Sequence, residues 1–301
     1  MQILEPRDVP LGGLRAMDVR RTLPQRERSF IGAWCFVDHY GPDRVDADTG
    51  MNLPPHPHTG LQTVSWLFEG ELDHRDSADH HQRVRPGEVN LMTAGRGISH
   101  SEYVTRATTT LHGAQLWVAL PDADRHVAPT FEHYATKPVA GDGWEARVFL
   151  GSLLGSTSPV HTFTPLLGAE LRLAGGTTLE VPVDPSYELG VLVDTGVLQL
   201  DGGQVKPAEL AVVEPGRETL VLRAEQEARL LLLGGPPFGE QIVMWWNFIG
   251  RSHDEVVRFR GDWERLLTGE EQDRFALPPA DPEPPLHAPE LPNVRMRPRG
   301  P

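Results

Sequence analysis

The chain has 301 residues, with 42 acidic and 28 basic side chains and a formal net charge of −14 at pH 7. This charge disfavours direct binding to nucleic acid or to anionic membrane surfaces, because both present negative phosphate groups. A single cysteine excludes an intrachain disulfide, and no apolar run reaches the length of a signal peptide or a membrane span, so we expect a cytoplasmic protein.

Thirty Gly and 28 Pro separate short runs rich in Val, Leu and Thr, which predicts a mostly β protein. Between residues 30 and 120, strand-like runs alternate with turns such as Gly41-Pro42 and Pro86-Gly87. Eight or so short antiparallel strands are typical of a barrel or jelly roll. We therefore predict an N-terminal barrel over residues 1–135. Its one thiol, Cys35, is interpreted as an apolar core residue, with a redox sensor as the alternative.

A second set of strand-like runs follows, and it predicts a C-terminal barrel over residues 136–275. The two halves share a faint repeat: WLFEGEL leads to RPGEVNL, and VLVDTGVL leads to KPAELAV. This repeat favours a duplicated barrel. Ser252 and Glu255 form a capping box before apolar residues at helical spacing, which predicts a short helix over 252–267.

The last segment has a different composition. Nine of the 24 residues from 278 to 301 are proline, and we expect residues 276–301 to form an extended, disordered tail. A polyproline ligand for a partner protein is the alternative.

Two pairs of metal-ligand residue types stand out. His56 and His58 are two apart in HPHTGLQTVSWLFEG, and His100 and Glu102 are two apart in MTAGRGISHSE. Residues two apart in a strand face the same side, so each pair would point into one barrel. A single H-x-H often arises by chance, but two such pairs beside glycine turns favour one divalent metal ion. Three imidazoles and a carboxylate suit Fe(II), with Mn, Ni, Co or Cu possible, and leave positions open for substrate and O₂.

The other histidines are weaker candidates. His74, His80 and His81 lie in a polar stretch that we expect to be an exposed loop, although His74 could lie near a barrel mouth. Four more have no partner at ligand spacing: His39, His112, His126 and His133. Residues 179–233 contain no histidine, so the second barrel cannot rebuild the ligand set and is predicted to be structural.

Several segments resemble successive signatures of the pirin family: FVDHYGP, HPHTGLQTVSWLFEG, HRDS, PGEVNLMTAGRGISHSE, QLWVALP and LLLLGGPPFGEQIVMWWNFIGRSHDEV. The resemblance implies an all-β fold of two tandem cupin (jelly-roll) barrels. It also implies one metal ion, in the N-terminal barrel only. The ligands that it implies match His56, His58, His100 and Glu102.

Bacterial pirins are linked to quercetin 2,3-dioxygenase activity, so the resemblance implies flavonol ring opening with O₂ and release of CO. Glu102 would be the catalytic residue that accepts the proton of the flavonol 3-hydroxyl. Two alternatives stay open. One is a metal- or redox-responsive regulator that binds a transcription factor or a metabolic enzyme, and the other is a cupin for another small oxygenated molecule.

Strand periodicity continued from the histidine pair places Gln62, Val64 and Trp66 on the inner face, and with Met92 these residues are predicted to line a pocket for a flat aromatic substrate. Ordinary barrel core is the alternative for each. Gln62 stands where many pirins have a glutamate, which would replace a charge facing the metal by a neutral amide. Ala119 likewise stands where many have asparagine.

Overall fold

A computed structural model of the protein describes residues 1–11, 17–46 and 50–300. The strands of the first half are β1 (Gln2–Leu4), β2 (Arg7–Leu11), β3 (Met17–Leu23), β4 (Trp34–Arg44), β5 (Asn52–His58), β6 (Leu61–Glu69), β7 (Leu72–Asp76), β8 (His81–Val84), β9 (Glu88–Thr93), β10 (Ile98–Val104), β11 (Thr110–Ala119) and β12 (Thr130–Ala135).

The strands of the second half are β13 (Val139–Gly141), β14 (Trp144–Leu150), β15 (Ser152–Leu153), β16 (Ser156–Thr157), β17 (Leu167–Leu173), β18 (Thr178–Pro182), β19 (Glu188–Thr195), β20 (Leu198–Leu200), β21 (Gly203–Val205), β22 (Leu210–Val213), β23 (Thr219–Ala224), β24 (Ala228–Gly235), β25 (Val243–Trp245) and β26 (Phe248–Gly250). One helix, α1 (His253–Thr268), follows them.

Each half forms an antiparallel barrel from a seven-stranded and a four-stranded sheet. The first barrel joins sheet β12-β9-β6-β11-β4-β3-β2 to sheet β5-β10-β7-β8. The second joins β1-β22-β19-β24-β17-β14-β13 to β18-β23-β20-β21. The order β9-β6-β11-β4 in one barrel matches β22-β19-β24-β17 in the other, so the strand order confirms the predicted duplication.

The N-terminal strand does not belong to the barrel that follows it in sequence. Residues of β1 pair with β22, with Gln2 opposite Val212. The first residues of the chain therefore complete the edge of the second barrel, whereas the sequence assigned residues 1–135 to the first barrel alone. A three-residue strand carries too little pattern to predict a partner two hundred residues away.

The two seven-stranded sheets pack against each other through one apolar core. Val64 and Trp66 of β6 meet Phe149 and Leu231 of the second barrel in this cluster. The Trp66 indole stacks on Phe149 with ring centroids 4.7 Å apart, and its N–H donates to Glu170 at 2.8 Å. The outer face of β6 is thus an inter-barrel surface, which fixes how both barrels are held together.

A buried charged group lies in the same interface. Asp194 of β19 accepts hydrogen bonds from His39 Nε2 at 2.7 Å and His112 Nε2 at 2.5 Å, both from the first barrel. Arg229 of β24 donates to the other carboxylate oxygen at 2.5 Å. The two histidines, which lack a partner at ligand spacing in the sequence, share a carboxylate of the other barrel in the structure.

Helix α1 begins as the capping box predicts. The side chain of Ser252 accepts a hydrogen bond from the backbone N–H of Glu255, and Gly269 ends the helix in the left-handed region at φ 76°. Val256, Phe259 and Trp263 form its buried face. Across the described residues, no helix is both long and apolar enough to span a membrane.

The described part of the C-terminal segment, residues 276–300, has no helix or long strand, as its prolines predict, but its contacts differ from the expected disorder. Asp281 accepts hydrogen bonds from Ser101 and Tyr103 of β10. Leu286 donates its N–H to the carbonyl of Pro55 at 2.9 Å. A proline-rich chain leaves its backbone groups free to bond elsewhere, and the Leu286 N–H is one that bonds to the first barrel.

Candidate metal centre

Strands β5 and β10 bring the two predicted pairs together. They are antiparallel neighbours, with His100 directly opposite His56 and Ile98 opposite His58. All three histidines and Glu102 are buried. Because each pair has a spacing of two residues, all four side chains point to the inside of the barrel. A bulge between His100 and Glu102 shifts the register, so that Glu102 lies opposite Leu53.

Three imidazoles form a compact group. Potential ligand atoms of His56, His58 and His100 all lie within 4.8 Å of one another. The Nε2 atoms of His58 and His100 are 3.0 Å apart, and the ring centroids of His56 and His100 are 4.4 Å apart. Such a group satisfies the distance requirement for ligands of a single ion.

Glu102 belongs to a second, overlapping group. Its carboxylate oxygen lies within 4.8 Å of ligand atoms of His74 and His100. On the other side, the hydroxyl of Ser65 donates to Glu102 Oε1 at 3.2 Å and lies 3.0 Å from Gln115 Oε1. His100 belongs to both groups, so the four predicted ligands form a cluster of two groups that overlap at this residue.

His74 is part of this cluster, and its expected position in an exposed loop is wrong. It lies buried on β7, directly opposite Glu102. Its Nδ1 is 3.3 Å from Nδ1 of His100, and its Nε2 is 3.4 Å from Asp76 Oδ2. The turn begins only after Asp76 and contains half-buried His80, and the exposed His81 is the first residue of β8. The β7–β10 pairing, which the local composition does not encode, moves His74 inside.

Burial sets the protonation of these groups. It lowers the pKa of His56 to about 4 and lowers the pKa values of His58 and His100 well below their usual range. Burial also raises the pKa of the Glu102 carboxyl, although His74 and the Ser65 hydroxyl oppose this shift. Neutral imidazoles are the form that ligates metals, so the site does not need to lose protons from its histidines near pH 7.

The hydrogen bonds of the site also fit a metal ion. His56 donates its Nδ1–H to the carbonyl of Pro54 at 2.9 Å, which leaves its Nε2 lone pair for a ligand. His100 has His74 next to its Nδ1. Its Nε2, which faces Nε2 of His58, is therefore the nitrogen left to bind an ion. A donor set of imidazole nitrogens and one carboxylate is suited to a divalent first-row ion.

A cavity of about 320 Å³ opens onto the cluster. Its lining combines His56, His58, His100 and Glu102 with apolar side chains such as Phe36 and Trp117, and with polar Gln115 and Asn247. The sequence did not single out Ser65, Gln115 or Trp117. They alternate along β6 and β11 on the faces that point into the barrel, a pattern that becomes readable once the sheet pairing is known.

The four predicted pocket residues lie elsewhere. Val64 and Trp66 belong to the inter-barrel core, and none of Gln62, Val64, Trp66 and Met92 lines the cavity. Met92 packs in the apolar interior of the first barrel with Trp117. For the three residues of β6 the error has a local cause: the chain turns at Gly60, with φ +69°, and passes from the small sheet to the large one. Strand alternation cannot be continued across such a turn.

Gln62 therefore does not face the histidine cluster. Its side-chain amide donates to Thr93 Oγ1 at 2.9 Å and lies 3.5 Å from the carbonyl of His161 in the second barrel. The expectation that Gln62 replaces a charge facing the metal is wrong for this reason. Ala119 and Cys35 are both buried in the apolar interior of the first barrel, and burial raises the pKa of the Cys35 thiol far above its usual range, as expected for a core residue.

Comparisons with known proteins agree with this architecture. The pirin family profile matches residues 16–118, and that of the pirin C-terminal cupin domain matches residues 168–268. A Pseudomonas aeruginosa protein named "Putative quercetin 2,3-dioxygenase" is 42% identical over 97% of this chain and 91% of its own length.

Solved structures show the same arrangement of strands. The crystal structure of a quercetin 2,3-dioxygenase from Acinetobacter baumannii has a TM-score of 0.91 and 39% identity, covering 99% of this chain and 97% of the other. The Escherichia coli pirin YhhW, solved in complex with nickel(II), has a TM-score of 0.64 and 20% identity over 78% of this chain and 99% of its own, a likeness of fold. With both profiles matched and a relative aligned along nearly its whole length, this chain belongs to the pirin family of two-barrel cupins.

Proposed function

We propose that this protein is a metal-dependent dioxygenase that opens the ring of quercetin-like flavonols with O₂. The observation that carries the proposal is the buried group of His56, His58 and His100, with Glu102 beside it, at a cavity of about 320 Å³. The similarity to the Acinetobacter quercetin 2,3-dioxygenase over 99% of the chain supports the same reaction.

His56, His58, His100 and Glu102 would hold one divalent ion, with Fe(II) as the first candidate and Mn, Ni, Co and Cu as the others. When bound, the ion supplies Lewis acidity and a redox-active centre between an electron-rich substrate and O₂. The protein would keep two of the ligands in place through a second hydrogen bond of the ring, from His56 to Pro54 and between His100 and His74.

The cavity suits a flat aromatic substrate. Phe36 and Trp117 form its apolar walls, and their rings stack with centroids 4.1 Å apart. Its volume lies at the lower end of the range of about 300–1,000 Å³ that is usual for small-molecule pockets. A flavonol would enter with its ring system against these aromatic side chains and its 3-hydroxyl toward the histidines.

Glu102 would accept the proton of the flavonol 3-hydroxyl. Among the described residues that line the cavity it is the single carboxylate. Burial raises the pKa of its carboxyl, which makes the ionised form a stronger base, and Ser65 fixes one of its oxygens. Ring opening then places both atoms of O₂ in the product and releases one ring carbon as CO. The electrons that reduce O₂ all come from the flavonol, so no external reductant is needed.

The metal site is tested by elemental analysis. We expect a His56→Ala/His100→Ala variant to lose the metal that copurifies with the wild-type protein, while a His161→Ala variant keeps it, because His161 is exposed and lies outside the cluster. Equal metal content in the wild type and the double variant would place the ion elsewhere in the protein.

The reaction is tested separately on reconstituted protein. After anaerobic loading with Fe(II), exposure to air should remove the quercetin absorbance and release CO. We expect Glu102→Gln to lower kcat at unchanged folding, in the range of about 10²–10⁴-fold that a positioned acid or base contributes. Absence of turnover with each of Fe, Mn, Ni, Co and Cu would reject quercetin as the substrate.

A further inference from the structure

A second cavity lies next to the histidine cavity. It has a volume of about 580 Å³, and we call it the arginine cleft because Arg7, Arg21, Arg26, Arg297 and Arg299 line it. The two cavities share four lining residues: Arg21, Phe36, Trp117 and Trp246. A ligand too large for the histidine cavity would therefore extend into the arginine cleft.

The charge of the cleft is opposite to that of the protein. Five of the 28 basic residues converge here on a chain of net charge −14, and no aspartate or glutamate is among the described residues that line the cleft. Guanidinium groups that line one cleft repel one another, and a bound anion would reduce this repulsion.

Most of these arginines form no ion pair with a carboxylate among the residues that the structure describes. Arg21 is the exception, because it donates to both oxygens of buried Asp38, at 2.7 and 2.8 Å. The other four form no salt bridge within the described part of the chain, and Arg7 donates to the carbonyl of Pro24. The charges of Arg7, Arg26, Arg297 and Arg299 therefore remain available to a ligand.

Aromatic side chains continue from one cavity into the other. Trp117 packs edge-on against His58 with ring centroids 5.2 Å apart, and its face stacks on Phe36. Arg21 covers the Phe36 ring at 4.2 Å from its centroid. Trp245 and Trp246 add further rings to the wall of the cleft. A planar ligand can contact aromatic surface along this path and meet cations at its outer end.

The C-terminal segment supplies one side of the cleft. Arg299 and Ile242 exchange two backbone hydrogen bonds, each of 2.8 Å, which anchor the end of the chain beside β25. Arg297 and Arg299 are both exposed at this edge. This anchoring gives the proline-rich segment a function beyond solvation, because it holds two of the four arginines that form no salt bridge among the described residues.

We propose that the arginine cleft binds the anionic group of an aromatic ligand whose ring lies in the histidine cavity. The ligand class is a planar phenolic compound that carries a carboxylate, sulfate, sulfonate or phosphate group. Arginine forks match the geometry of such oxyanions and bind them through paired hydrogen bonds. The conversion of this ligand rests on the dioxygenase function proposed above, whereas its binding does not.

The test compares quercetin with quercetin 5′-sulfonate, with binding followed by quenching of tryptophan fluorescence. We expect the sulfonate to bind about tenfold more tightly at low salt, because its charge can be met by charge-assisted hydrogen bonds from the free guanidinium groups. High sodium chloride should reduce this preference. Arg297→Ala/Arg299→Ala should lower the affinity for the sulfonate to that of quercetin, and Arg26→Ala, from a different part of the chain, should lower it as well.

A matched control is Arg223→Ala/Arg258→Ala, which removes two exposed arginines that do not line the cleft. It should keep the preference for the sulfonate. Equal affinity of the wild type for both flavonols, or an equal loss in the control, would overturn the proposal. Inorganic sulfate that binds as tightly as the sulfonated flavonol would also overturn it, because the aromatic part would then contribute nothing.

Turnover measured on the same samples separates the two proposals. A preserved preference for the sulfonate, without turnover of either flavonol after loading with each of Fe, Mn, Ni, Co and Cu, would reject the dioxygenase function and support the anion cleft. Turnover of quercetin without a preference for the sulfonate would reject the anion cleft and support the dioxygenase function.

Discussion

Replacing Asp194 by asparagine tests whether charge at the barrel interface stabilises the protein. Its carboxylate is fully buried and has three partners: His39 at 2.7 Å, His112 at 2.5 Å and Arg229 at 2.5 Å. The amide of the substituted side chain would have nearly the same shape but no charge. Arg229, with 18% of its side chain exposed, would then be left as a largely buried cation without a carboxylate.

We expect Asp194→Asn to lower the free energy of unfolding by about 3–5 kcal/mol, the usual cost of removing one partner of a buried ion pair. The assay is urea denaturation at pH 7, followed by circular dichroism and by tryptophan fluorescence. The control is Asp201→Asn, which breaks the exposed ion pair with Arg217 in the same barrel. That variant should lose about 0–1 kcal/mol.

Equal losses of unfolding free energy in the two variants would refute the reasoning, since burial would then not change how much an ion pair contributes to stability. A double variant, Asp194→Asn/Arg229→Met, sharpens the test. It removes both charges, so it should lose less stability than the single variant, in which one charge is stranded. A larger loss in the double variant would show that Arg229 stabilises the interface mainly through its contact with the Phe68 ring, at 4.2 Å, and not through its ion pair with Asp194.

Two further predictions follow from buried groups at the same interface. Gln62→Glu should destabilise the protein by about 2 kcal/mol or more without changing its metal content, because it buries a carboxylate at a fully buried position beside Thr93. The stability difference between the wild type and Asp194→Asn should shrink as the pH falls below about 4. Burial opposes the shift, but the hydrogen bonds from His112 and His39 lower the pKa of the Asp194 carboxyl in the folded protein. The unfolded chain therefore binds the proton first, and the stabilisation present above the unfolded pKa is lost as the pH falls toward the folded one. Urea midpoints of both proteins from about pH 7 to about pH 3 measure this, and a constant difference would contradict it.

The parts of this protein that the sequence could predict are those with a local signal. The spacing of two residues in His56 and His58, and in His100 and Glu102, predicts a shared direction for each pair without any knowledge of the sheets. The helix is predictable because Ser252 and Glu255 lie within one turn of each other. The duplicated barrel is predictable because strands and turns repeat in the same order.

What the sequence could not predict depends on pairings between distant strands. His74 enters the cluster because β7 pairs with β10, and Asp194 meets His39 and His112 because two sheets pack face to face. Neither arrangement can be predicted from the residues next to His74 or Asp194 in the sequence. The direction of β6 is lost at Gly60 for a related reason, since one residue of positive φ changes the sheet and with it the face on which each later side chain lies.

The alternation along β6 leads to a last prediction, in which two neighbouring residues affect different properties of the protein. Val64 faces the inter-barrel core, and Ser65 faces Glu102 inside the first barrel. Val64→Ala removes buried methyl groups and should lower the free energy of unfolding by roughly 2 kcal/mol, with unchanged metal content. Ser65→Ala removes a hydrogen-bond donor from the proposed ligand and should weaken metal binding by about 10–100-fold at a smaller cost in stability.

Both effects can be measured on the same two samples, by urea denaturation and by competition with a metal chelator. Because the two residues are adjacent in the chain, any disturbance of the strand backbone would affect both measurements in both variants. Separate effects would mean that one strand carries two functions on its two faces, with the second barrel stabilising the face opposite to the site. If Val64→Ala weakened metal binding as much as Ser65→Ala does, the inter-barrel core and the histidine cluster would be coupled, and the second barrel would be part of the metal site's support.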